Sequence, residues 1–156
     1  MTALTLDHAR AIIAATLAKG AEMGLKPLSV VVLDAGGHAL AFERSDGAAP
    51  GRFGIAHGKA YGAVMLGIAG RAQMARAEAQ PYFMAGMNGV YGGAVVPVPG
   101  GLLLRDANGT VIGAVGVTGA AYARGARGAW TGAGAVVRGR PDRPADADLS
   151  ERGRAR

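Results

Sequence analysis

The segment Val96–Gly119 constrains the fold of this chain more than any other. It sets two apolar runs, Leu102–Leu104 and Val111–Val117, on either side of Arg105-Asp106-Ala107-Asn108-Gly109. Asn-Gly between apolar runs supplies the positive φ angles that a tight hairpin turn demands, so two adjacent antiparallel strands are expected here. Gly113 and Gly116 interrupt the second run. A glycine inside a strand leaves bare backbone, which a ligand or another chain element can approach closely.

A second hairpin lies upstream. Leu28 to Leu33 is a short Val-rich run, Asp34-Ala35-Gly36-Gly37 reads as a turn, and His38 to Arg44 alternates like a half-buried partner strand. Helices surround it. Thr5 to Met23 reads as the first, with Thr5 as N-cap, Leu6, Ala9, Ile13 and Leu17 at helical spacing, and Gly24 at the left-handed position past the end. Arg52 to Arg71 reads as a second helix, and Gln73 to Met87 as one or two shorter ones broken at Pro81. A strand near Val95 completes a count of five. Helices and hairpins in this order predict an α+β domain, an antiparallel five-stranded sheet with helices packed on it.

The bulk properties narrow the function. The chain has 156 residues, half of them apolar, enough for one domain with a real core. It has no cysteine, so disulfides, thiolate metal sites and a cysteine nucleophile are excluded. No apolar run approaches the roughly 18 residues of a membrane span, and the first residues lack the pattern of a signal peptide, so a cytoplasmic protein with no membrane partner is expected. The net charge of +6 is unevenly spread. Residues 1–119 hold nine Lys/Arg and seven Asp/Glu, a net of +2, whereas 120–156 hold eight Arg and four Asp/Glu, a net of +4. A nearly balanced body without a platform of basic and aromatic residues argues against specific nucleic-acid binding. The chain thus divides into a domain, 1–119, and an Ala/Gly/Arg-rich tail, 120–156, expected to be poorly ordered.

Three blocks carry a family likeness: Val-Val-Val-Leu-Asp-Ala-Gly-Gly-His-Ala-Leu-Ala-Phe-Glu-Arg-Ser-Asp-Gly-Ala at 30–48, Ile-Ala-His-Gly-Lys-Ala-Tyr-Gly-Ala at 55–63, and the Pro-Gly-Gly…Gly-Ala-Val-Gly-Val-Thr-Gly hairpin at 99–119. In this order and spacing the chain resembles the GlcG/HbpS-like family of haem-binding or haem-degrading domain proteins, over about residues 4–119. The resemblance implies a profilin-like α+β fold, assembly into homo-oligomers (dimers or larger rings), and haem or a related tetrapyrrole as ligand. The family usually continues past the last glycine with an acidic stretch and a terminal helix. Here Gly119 is followed by Ala120-Ala121-Tyr122-Ala123-Arg124.

The candidate site residues are few, and each has a plainer reading beside it. His57 and Tyr61 share a helix face; a neutral His57 could ligate haem iron, or simply hydrogen-bond near a subunit contact. Lys59 could pair with a propionate or another carboxylate. Arg44 offers a bidentate fork for such a group, against a surface pairing with Asp46 or Glu43; Asp46 could instead shape the turn before Gly47. Gly100 and Gly101 after Pro99 offer backbone N–H groups as an anion cradle, or only a tight connection, and Thr118 adds a hydroxyl nearby. Gly54, Gly58 and Gly62 recur every four residues on the second helix, at about 1 kcal/mol each relative to Ala, which close packing or a flat ligand must offset. His38 and His8 read as structural or solvated.

The reading these residues support is a small-molecule binding protein. Its pocket would lie between the second helix and the hairpin ends, with Arg44 and Lys59 holding an acidic group and His57 meeting iron. Two others stay open: an enzyme of small-carboxylate or aromatic catabolism with His57 or Lys59 as acid–base, and an oligomeric structural subunit without ligand. Because 26 of the 37 tail residues are Ala, Gly, Arg or Pro, all with GC-rich codons, the tail reads as a shifted reading frame after Gly119 or as a replaced C-terminus. Translating the gene in the other frames checks this: one of them should restore a helix, and none doing so overturns it.

Overall fold

A computed structural model describes residues 4–119; the expectations for 120–156 fall outside the described residues. Four helices and four strands follow one another as α1 (Leu6–Glu22), β1 (Ser29–Asp34), β2 (Ala39–Arg44), α2 (Arg52–Leu66), α3 (Gly70–Ala79), α4 (Pro81–Val90), β3 (Gly101–Arg105) and β4 (Val111–Thr118). The strands form one antiparallel sheet in the order β2-β1-β4-β3. The α+β expectation holds.

The sheet has four strands, not the five expected. The run at Val95 belongs to none, because its backbone is satisfied locally. The Val95 N–H donates to Asn88 Oδ1 at 2.9 Å, and its carbonyl accepts from Asn88 Nδ2 at 3.1 Å. One side-chain amide thus takes the bonds that a neighbouring strand would have made. The second helix is also shorter than the expected Arg52 to Arg71. It stops at Leu66 because Gly67 turns left-handed at φ 67°, and α3 starts afresh at Gly70. The capping of α1 is as expected and more complete: Thr5 accepts from the His8 N–H at 3.2 Å, while the His8 ring accepts from the Thr5 N–H at 3.5 Å.

Both hairpins turn by the same device. Asp34 Oδ1 accepts from the N–H groups of Gly36 and His38 at 2.8 and 2.9 Å. Asp106 Oδ1 accepts from those of Asn108 and Thr110 at 2.9 and 3.0 Å. The glycine three residues after each aspartate, Gly37 or Gly109, carries a φ of 84°. These backbone bonds, chiefly that from His38, hold the Asp34 carboxyl below the ordinary 3.8. The Arg105–Gly109 segment is therefore an aspartate-clasped loop rather than a bare Asn-Gly turn.

Alternation along β1 and β4 gives the sheet two apolar faces. Val30, Val32, Val115 and Val117 pack with Ala9, Ile12 and Ile13 of α1, and Val31, Leu33 and Ala114 pack with Ala56, Ala60 and Ala63 of α2. Helix α2 lies very close to the sheet. A Cβ at Gly116 would strike the Ala56 carbonyl, and one at Gly101 the Lys59 carbonyl. The bare strand backbone foreseen at Gly116 is thus the seat of a helix. On the far side of α2, a Cβ at Gly58 would meet Val96 and the Ala94 carbonyl, and one at Gly62 would meet Gln73 and Val95; Gly54 faces open space. Packing accounts for two of the three helical glycines and not for the third.

A Gly116→Val chain should lose about 3 kcal/mol or fail to fold, since no rotamer removes its Cβ from the helix backbone. Gly54→Ala should gain up to about 1 kcal/mol. Urea midpoints of the two variants check both signs.

Candidate functional site

The two flanks of α2 carry different chemistry. Residues four apart on a helix share a face, and residues two apart point nearly oppositely. Phe53, His57 and Tyr61 therefore line one flank. Phe53 meets the His57 ring at 5.7 Å between centroids, and His57 stacks on Tyr61 at 5.5 Å and 19°. Phe42 of β2 abuts Phe53 edge-on at 4.9 Å, and Tyr91 abuts Tyr61 at 6.0 Å. His57 is half-buried in this row, and among the described residues neither of its ring nitrogens has a hydrogen bond.

Arg52 and Lys59, seven apart, lie on the other flank above the end of β4. Arg52 Nη1 donates to Thr118 Oγ1 at 3.1 Å, and Lys59 Nζ donates to the Val117 carbonyl at 3.1 Å. Two cations thus meet at consecutive residues of one strand. Neither forms a salt bridge with a carboxylate among the described residues. Burial, and secondly the charge of Arg52, lower the Lys59 amine from the ordinary 10.5. Gly100 packs closely beside them. Its φ is 118°, and a Cβ there would come within 3.1 Å of Lys59 Nζ. Its carbonyl accepts from the Val117 N–H at 2.8 Å, which ties the Pro-Gly-Gly segment to the same strand end.

The structure therefore groups Lys59, Thr118 and Gly100, and sets His57 apart from them. Gly101 belongs to β3 and lies under the backbone of α2. Arg44 is in register with Ser29, which is in register with Thr118, so it sits two strands away at the same end of the sheet. It is exposed on an edge strand and donates to the Ala48 carbonyl at 3.1 Å. Asp46 is exposed in the loop that follows. His38 is 83% exposed, with Nδ1 at 3.3 Å from Asp34 Oδ1. Arg52 was missed in the sequence reading, although its seven-residue spacing from Lys59 places both on one helix face. No cluster of three or more His, Cys, Asp or Glu that could hold a metal ion occurs among the described residues.

Residues 4–131 match the model of the family described as haem degrading protein HbpS-like. The chain belongs to the HbpS-like family. Its matched span runs past Gly119, the end of the likeness read from the motifs. Three solved structures resemble it. HbpS itself is 28% identical, with a TM-score of 0.73 over 88% of this chain and 91% of that one. The Klebsiella pneumoniae protein ORFY is 27% identical, with a TM-score of 0.72 over 83% and 88%. PduOC, solved as a complex with haem, is 24% identical, with a TM-score of 0.75 over 87% and 96%, and shares the fold. Among curated proteins none matches the sequence significantly. No helix among the described residues is long and apolar enough to cross a membrane.

Since Arg52 contributes the smaller part of the effect on Lys59, Arg52→Gln should raise the lysine's pKa while leaving it below the ordinary value. An NMR titration of the Lys59 side-chain carbon beside its amine checks the direction.

Proposed function

We propose that this chain binds a planar small molecule on the ring-lined flank of α2, with haem or a related tetrapyrrole as the first ligand and His57 as the partner for iron. The observation that carries the reading is the His57 imidazole, held between Phe53 and Tyr61 with no hydrogen bond to its nitrogens among the described residues. A neutral imidazole is a ready iron ligand, and flanking aromatic rings offer apolar surface to a flat macrocycle. Membership of the HbpS-like family supports haem over other flat ligands. Bound haem would supply an iron centre; Phe53 and Tyr61 would orient the imidazole and exclude water from it.

The same reading includes self-association. Tyr82 and Val90 of α4 are 75% and 81% exposed, a large apolar outlay for a lone protomer, and suit contact with a second copy. The reading of an enzyme for small carboxylates draws support from Lys59, whose amine burial and Arg52 hold below its ordinary value.

A haemin titration of the full chain should shift the Soret band. His57→Ala should weaken binding about tenfold or more, equivalent to about 1.4 kcal/mol, and change the band position. A shift that the variant keeps unchanged moves the iron ligand elsewhere. No shift in either removes the tetrapyrrole.

A further inference from the structure

The flank of α2 opposite His57 has the parts of a different site. Lys59 is half-buried, with its Nζ held by one carbonyl, that of Val117, at 3.1 Å. It faces the bare α-carbon of Gly100, where any side chain would crowd the amine. The Arg52 guanidinium reaches the adjacent Thr118 hydroxyl. A second cation beside a half-buried lysine, with no carboxylate among the described residues to neutralise either, is costly unless something anionic arrives. It is also the arrangement that makes a lysine nucleophilic, because a neighbouring positive charge and burial both disfavour the ammonium form. An arginine fork two turns away on the same helix face is suited to a carboxylate.

We propose that Lys59 forms an imine with a small 2-oxo acid, whose carboxylate is held by Arg52 and Thr118. The neutral amine attacks the carbonyl carbon, and the resulting carbinolamine expels its oxygen as water. Overall, the ammonium and the ketone become a protonated imine and one water, with no net proton taken up or released. The site shares no residue with the tetrapyrrole reading, so either can fail alone.

The chain has three lysines, Lys19, Lys26 and Lys59, which makes the test direct. The full chain is incubated with pyruvate and sodium cyanoborohydride near neutral pH, digested, and read by peptide mass. The expected result is a Lys59 adduct whose added mass is that of the oxo acid less one oxygen, at least about tenfold over Lys19 and Lys26. Lys59→Arg should abolish that adduct. Arg52→Gln should remove the preference for pyruvate over acetone, an uncharged ketone of similar size. Equal labelling of all three lysines in the wild-type chain overturns the imine without reference to any variant. A Lys59 adduct that forms as readily from acetone as from pyruvate overturns the carboxylate contact.

Discussion

The close seat of helix α2 on the sheet governs the rest of this molecule. The carbonyls of Ala56 and Lys59 occupy the space that side chains at Gly116 and Gly101 would fill. Ala56, Ala60 and Ala63 complete the contact with Val31, Leu33 and Ala114. Small residues on both partners bring the axis of the helix nearer the strands than Leu or Ile would allow, and dispersion over the whole contact offsets the poor helix propensity of glycine. At that distance the side chains at the margins of the helix cannot tuck beneath it. They are pushed out along its two flanks, and these flanks are where the chemistry is.

The separation of the flanks has an electrostatic logic. Stacked rings line one side, and two cations share the other. With the helix between them, His57 is insulated from Arg52 and Lys59. The lysine then feels chiefly its own burial and one guanidinium. One helix thus presents two chemically independent surfaces from a stretch of ten residues, Arg52 to Tyr61.

Much of this was legible in the sequence, for reasons that differ by element. The N-cap at Thr5, Gly24 past the end of α1 and both hairpins follow from local chemistry, which acts within a few residues and reads directly. Val95 was misread as a strand because its bonding depends on Asn88, a side chain whose target no periodicity reveals. Gly54, Gly58 and Gly62 look alike in sequence, yet only the last two meet a neighbour, since the segment 94–96 packs back on α2 by a tertiary contact. Lys59 and Thr118 were singled out on chemistry and do come together. Arg44 was singled out because it lay in a recognisable block, whereas the spacing that joins Arg52 to Lys59 carries no motif. His57 and Lys59 were assigned one pocket although two residues along a helix cannot face one way.

The matching aspartate clasps bear on how the chain reaches this state. Each turn is closed by bonds spanning only a few residues, so each hairpin gathers its strands with little loss of loop entropy. The costly step is elsewhere. Ser29 must find Thr118 and Asp34 must find Gly113, a pairing of β1 with β4 that encloses three helices and two strands, β2 and β3, between its ends. Folding speed is therefore set by this one distant junction between two ready-made halves, and the same junction is the one over which α2 closes.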